Sequence, residues 1–272
     1  MHIVEQIGEA VSFIQGKYPQ KPLVGIVLGS GLGNFSEEMQ IQAEIPYKDI
    51  PHFPVSTVEG HSGKLLLGAI KGKSVVAMAG RFHFYEGYSA AEVIFPIRVM
   101  KFLGIETLLL SNAAGGVNPE FRVGDLMMIH DHISFATANP LLGKNEPALG
   151  PRFPDMSQPY SKKLMELAGD VARKAELVLH RGVYFGVTGP TFETRAEYKM
   201  IHLMGADAVG MSTVQEVIAA CHMSLPVFAV SIITDMGIRE EENIITHQEV
   251  LEAARAAEPK LAALFTGLIE KL

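Results

Sequence analysis

The chain has no tryptophan, one cysteine (Cys221) and no surplus of positive charge. A single cysteine excludes an internal disulfide and suits a reducing compartment. Lys and Arg number 23 against 30 Asp and Glu, a formal net charge of −7. No broad basic face therefore invites nucleic acid, although a local anion pocket is still compatible with that balance. Long apolar runs are missing too. The most apolar stretch, Val217 to Ile233, is interrupted by His222 and Pro226 and reads as a helix end plus a strand, not a membrane span. Met1-His2-Ile3-Val4-Glu5 lacks the basic start and apolar centre of a signal peptide, so a cytoplasmic protein without membrane or nucleic-acid partners is expected. Repeats, low-complexity tracts and linker-like shifts in composition are absent, and 1–272 is expected to form one domain.

What the chain has is core material, with hydrophobic residues at 48% of its 272 positions. Ile3, Val4, Ile7, Val11 and Ile14 share a helical face over 3–17. Strand 23–28 follows, then an irregular stretch over 34–60 with Pro46, Pro51 and Pro54. Leu65 to Ile70 and Val75 to Ala79 read as paired strands turning at Lys71-Gly72-Lys73, ahead of a helix over 90–103 and a strand over 105–111. Another strand runs from Leu126 to His130, and a long proline-bearing loop occupies 131–160. Loops of that length are usually functional or lie at interfaces. The remainder alternates: helix 160–175, strand 177–187, helices 195–204 and 213–223, strand 227–233, and a final helix over 247–270. Interleaved strands and helices predict an α/β layered fold, a mixed and largely parallel sheet flanked by helices.

The first chemical signal is Gly25-Ile26-Val27-Leu28-Gly29-Ser30-Gly31-Leu32-Gly33, a buried strand ending in glycines around one hydroxyl. Such a loop lets backbone N–H groups approach an anion. Its spacing matches neither the dinucleotide fingerprint nor the P-loop, so the loop alone leaves the ligand open, a structural turn included. Four Ser/Thr-x-x-Glu pairs read as capping boxes that start helices: Ser89 with Glu92, Thr194 with Glu197, Thr213 with Glu216, and Thr246 with Glu249. The segments before them each follow a predicted strand, where ligands of open α/β sheets bind. These are Arg81 to Tyr88, Gly189 to Glu193, Gly210-Met211-Ser212 and Thr234 to Ile245. One cleft could therefore collect all of these loops and the glycine loop. Arg81 and His83, two apart, would point the same way and with Ser30 could hold a tetrahedral oxyanion. Asn112-Ala113-Ala114-Gly115-Gly116 reads as a second small-residue loop. Phe192-Glu193 pairs an aromatic face with a carboxylate, which suits a heterocycle that stacks and donates N–H.

Taken together and in this order, these motifs, with Thr57-Val58-Glu59-Gly60-His61 and Gly189-Pro190-Thr191-Phe192-Glu193-Thr194, resemble the trimeric family of purine nucleoside phosphorylases from about residue 23 to the final helix. The resemblance implies that Ser30, Arg81, His83, the Ala113 backbone and Ser212 bind phosphate, with His61 in support. It implies that Tyr85, Met211 and His247 hold the ribose, His247 near the 5′-hydroxyl. Glu193 would accept from purine N1–H with Phe192 against the base, and Ala114, Thr234 and Asp235 would complete the base site. Phe153 would be donated by the neighbouring subunit of a homotrimer, which gives the 131–160 loop a purpose. The reaction implied is phosphorolysis of a purine nucleoside, with His83, Glu193 and Asp235 nearest the chemistry, inorganic phosphate as co-substrate and neither cofactor nor metal. Positioned electrostatics can support it without a covalent nucleophile.

One position departs from the family's 6-oxopurine pattern. Asp235 stands where such members carry Asn. An ionised Asp can only accept, which suits a 6-amino group and opposes O6. Inosine and guanosine are expected as substrates, with adenosine accepted to some degree. The nearest rival is a 5′-methylthioadenosine phosphorylase, which shares Asp there but resembles Thr-Asp-x-Asp where this chain reads Thr234-Asp235-Met236-Gly237. A non-catalytic nucleoside sensor is the rival from another class.

Overall fold

The computed structural model describes residues 2–55, 57, 62–238 and 245–272. Its elements are, in order, α1 (Ile3–Lys17), β1 (Val24–Val27), β2 (Gln40–Pro46), β3 (Lys64–Ile70), β4 (Lys73–Ala79), α2 (Ala90–Val93), α3 (Phe95–Leu103), β5 (Thr107–Gly116), β6 (Leu126–Ala136), α4 (Lys162–Lys174), β7 (Leu179–Val187), α5 (Arg195–Leu203), β8 (Ala208–Gly210), α6 (Val214–His222), β9 (Val227–Met236) and α7 (His247–Glu270). The nine strands form one sheet. From one edge the order is β2-β3-β4-β1-β5, and β5 then belongs to a ring in which β9, β6, β7 and β8 follow and β8 returns to β5. Pairings β1–β4, β1–β5, β5–β9, β6–β7 and β7–β8 are parallel. The other four are antiparallel, so the sheet is mixed, as expected.

Strand alternation sorts the core into two layers. Leu108, Leu110, Val227, Ala229 and Ile233 pack with α1, α3 and α6. Leu109, Phe228, Val230 and Ile232 pack with α4 and α7. In β5 and β9 nearly every residue is buried because both faces are covered. A smaller cluster seats α5 on β7 and β8 through Tyr198, Ile201, Phe185 and Val209.

The feature that positions the site is a change of partner along β5. Over Thr107 to Leu110 its neighbours are β1 and β9. β8 joins only at Gly115 and Gly116. Between them, Ser111 to Ala114 pair with β9 alone. The sheet splits there, and ligands of α/β folds bind where neighbouring connections diverge. The glycine loop leaves β1 at this split, close enough to β5 that a Cβ on Gly29 would lie 2.8 Å from the Asn112 Cα.

Four expectations need correction. Asn112 to Gly116 is not a loop but the second half of β5, because pairing to β9 supplies the ladder that small residues do not signal by themselves. The helix expected over 90–103 is two, with Pro96 near the start of α3, since proline lacks the N–H to continue α2. The stretch 34–60 contains β2, whose exposed edge position weakens its apolar alternation. Strands expected to end at 130 and 233 run on to Ala136 and Met236.

The glycine loop rests on α7. Gly31 has φ of +77°, and a Cβ there would meet Ala254 Cβ at 2.9 Å and the Leu251 carbonyl oxygen at 3.1 Å. Next to it, the buried Glu258 carboxylate accepts from the Phe35 N–H at 2.8 Å. Gly31→Ala is expected to cost about 1–3 kcal/mol, from left-handed backbone strain and overpacking. The measurement is the thermal melting temperature, and an unchanged value would count against this packing.

Candidate active site

The walls of the cavity come from six places in the chain. β4 delivers the segment Gly80 to Tyr88. Tyr47, fully buried, donates to the Gly80 carbonyl at 2.7 Å, and Phe82 packs against Tyr47 and Tyr88. Phe82 is thus the inward anchor, and its neighbours Arg81 and His83 both line the cavity, as their spacing predicts. The others are the glycine loop, the second half of β5, the segment before α5, the β8–α6 turn, and the end of β9 with the start of α7. Together they enclose about 350 Å³.

Ser30, Arg81, His83, Ala113 and Ser212, all expected to hold phosphate, line this cavity. Tyr85, Met211 and His247, expected at the sugar, and Ala114, Phe192, Glu193, Thr234 and Asp235, expected at the base, line the same cavity. His61 lies outside the described residues. Phe153 is elsewhere: it is 87% exposed, and it borders a separate recess with Leu141, Leu142 and Met156.

Arg81 is 1% exposed and makes a two-pronged ion pair with Glu216 of α6, Nε to Oε1 at 3.0 Å and Nη2 to Oε2 at 2.8 Å. Its Nη1 also donates to the Ser111 carbonyl, on the stretch of β5 that pairs with β9 alone. The arginine therefore completes the sheet edge as well as facing the cavity. This overturns the capping reading of Thr213 and Glu216. Glu216 turns to Arg81, and Thr213, at φ +70°, makes no side-chain cap. The other three capping boxes form. Sequence could not separate the fourth from them, because the diversion depends on a cation 135 residues away.

His83 stacks on Tyr85 with ring centroids 4.7 Å apart, and its Nδ1 lies 3.0 Å from Glu86 Oε1. Burial alone would raise the Glu86 carboxyl. Hydrogen bonds from His83 and Thr57 outweigh it and bring the carboxyl down to about 2. Burial pushes the His83 imidazole below its ordinary value, against the pull of Glu86. An ionised Glu86 makes Nδ1 the protonated nitrogen of the neutral ring. Glu86 lies within the segment Arg81 to Tyr88, where the sequence alone assigns it no role.

Burial raises the Glu193 carboxyl; its own backbone N–H and Tyr198 oppose this, while Asp235 adds to it. Asp235 is buried, and its Oδ1 accepts from the Thr234 hydroxyl at 3.1 Å. Tyr198 also lines the cavity; the sequence gives no signal for it, since it is one apolar-face residue of a helix. The cavity thus presents hydroxyls, a guanidinium, an imidazole and two carboxylates.

The chain belongs to the phosphorylase superfamily, whose family profile matches residues 23–270. Within it the relatives are purine nucleoside phosphorylases. It is 50% identical to purine nucleoside phosphorylase 1 of Geobacillus stearothermophilus, over 98% of this chain and 97% of that protein. It is 43% identical to the purine nucleoside phosphorylase of Rattus norvegicus, over 98% and 95%. The Schistosoma mansoni purine nucleoside phosphorylase in complex with inosine superposes with a TM-score of 0.94 at 40% identity, covering 99% of this chain and 97% of that one. Among the described residues no helix is long and apolar enough to cross a membrane.

A buried ion pair that loses one partner strands the other charge. Glu216→Ala is therefore expected to lower folding stability by about 3–5 kcal/mol, read as a large drop in melting temperature. A drop no larger than that of an exposed Glu44→Ala control would contradict the role of the pair.

Proposed function

We propose that this protein cleaves purine nucleosides with inorganic phosphate, preferring inosine and guanosine and tolerating adenosine. The observation that carries the proposal is the lining of the cavity, which gathers oxyanion donors and a pair of carboxylates around one space of about 350 Å³. Such a lining suits a ribosyl group held between phosphate and base. A phosphate oxygen bonds to C1′ while the C1′–N9 bond breaks, and the bond's electron pair leaves with the purine. The products are free base and (2-deoxy)ribose 1-phosphate. Ser30, Arg81, His83, the Ala113 N–H and Ser212 are assigned to phosphate; Tyr85, Met211 and His247 to the sugar. The reading gains support from the S. mansoni enzyme, described in complex with hypoxanthine, with adenosine and with inosine, and in isoform 2 with cytosine and ribose 1-phosphate.

Two carboxylates on one base explain a broadened preference. A 6-oxopurine donates N1–H to an ionised Glu193. A 6-aminopurine offers N1 as an acceptor, which suits a protonated Glu193, while ionised Asp235 accepts from the 6-amino group. Burial, with Asp235 adding to it, shifts Glu193 in the direction of that protonated form. We assign Phe153 to the sugar site of a neighbouring copy in a homotrimer, which accounts for an aromatic ring left 87% exposed.

The test is a substrate panel with and without phosphate. Phosphate-dependent release of base is expected from inosine and guanosine, more slowly from adenosine, and poorly from 5′-methylthioadenosine. Preference for the methylthio substrate would transfer the assignment to that activity, and binding without turnover would make the protein a sensor. Asp235→Asn should lower the adenosine-to-inosine ratio of kcat/KM by about tenfold, the size of one charge-assisted hydrogen bond. An unchanged ratio would remove Asp235 from base selection.

A further inference from the structure

Thr213 is a β-branched residue at φ +70° and ψ −51°, a region such residues seldom occupy. The Val214 N–H closes onto the Ser212 carbonyl at 2.7 Å, which makes the segment 212–214 a γ-turn with its central residue strained. Strain of this kind persists where surrounding contacts hold it in place, and here the contacts are specific. Asn112, 1% exposed on the split stretch of β5, donates from Nδ2 to the Thr213 Oγ1 at 2.8 Å. Thr213 Oγ1 in turn lies 3.2 Å from Ser212 Oγ. Ser212 is held on its other side by the buried Tyr184, whose hydroxyl accepts from the Ser212 N–H at 3.4 Å.

The direction of the first bond follows from donor and acceptor inventory. An amide Nδ2 only donates, so the Thr213 oxygen accepts there. Across the Thr213–Ser212 contact either hydroxyl can donate, and a Thr213 proton given to Ser212 Oγ leaves the Ser212 proton for the cavity. We propose that Asn112 and Thr213 form a relay that sets the Ser212 hydroxyl as a donor toward the bound oxyanion, and that the γ-turn exists to bring Thr213 into that line. Both are positioning residues, acting through Ser212. The inference rests on the assignment of Ser212 to phosphate. The relay matters because Arg81 is already neutralised by Glu216, so hydroxyl donors carry much of the anion contact.

The experiment measures kcat and the KM of phosphate and of inosine separately for the parent, Ser212→Ala, Thr213→Val, Thr213→Ser and the double variant Ser212→Ala/Thr213→Val. Thr213→Val removes the hydroxyl and keeps the shape. It is expected to raise the phosphate KM about tenfold while the inosine KM stays within about twofold. Thr213→Ser should restore most of the loss. In the double variant Thr213→Val should add little to Ser212→Ala, since residues acting through one another are not additive. Full additivity, an unmoved phosphate KM in Thr213→Val, or a Thr213→Ser variant as impaired as Thr213→Val would each overturn the relay. Should Thr213→Val not fold, Thr213→Ala carries the same expectation. A Ser212→Ala variant with unchanged phosphate KM would instead overturn the assignment of Ser212 itself.

Discussion

A guanidinium buried to 1% exposure at the point where a sheet splits needs a partner, because an isolated charge away from water is costly. Glu216 supplies it from α6 with two parallel bonds, and the Ser111 carbonyl of β5 takes a third. Three parts of the fold, the segment after β4, the middle of β5 and the first turn of α6, are thereby locked around one planar group. Loss of that lock would free the β8–α6 turn that carries Met211 and Ser212 and would leave the open edge of β5 without its donor. The relative placement of Arg81, β5 and the β8–α6 turn around the cavity depends on this interaction.

The same pairing fixes the electrostatics. Arg81 is balanced by Glu216, and burial favours neutral His83 beside an ionised Glu86. An anion beside them is therefore met by oriented dipoles and by a fork whose charge is already compensated, an arrangement in which direction outweighs net attraction. Glu193 and Asp235 give the cavity its acidic part, where burial above all, with Asp235 adding to it, raises the Glu193 carboxyl.

Helix α7 ties parts of the cavity wall together. His247 and Val250 face the cavity. One turn on, Leu251 and Ala254 lie against Gly31, and Glu258 holds the segment after the glycine loop. A single helix thus sets the distance between the glycine loop and His247. The capping box at Thr246 fixes where that helix begins, so a local signal determines the placement of a residue at the site.

Much of this was readable from sequence, and the boundary between what was and what was not has a physical cause. Helical periodicity, strand runs and three of four capping boxes depend on neighbours within one turn or one strand, and those elements form where expected. The motif segments other than Thr57 to His61 also came together in one cavity, because strands in a layered sheet end side by side. Long-range partners were not readable. Asn112 to Gly116 looked like a loop until β9 supplied its ladder. Thr213 and Glu216 looked like a cap until Arg81 and Asn112 claimed their side chains. Tyr198 carried no signal of its own, and only α5 places it against Glu193. By itself the sequence determined the layered class and the identity of the chemical groups that follow the strands, since these follow from local pattern and residue chemistry. Tertiary structure alone decided the ring of five strands, the split in β5 and the pairing of Arg81 with Glu216, because each depends on groups brought together from distant parts of the chain.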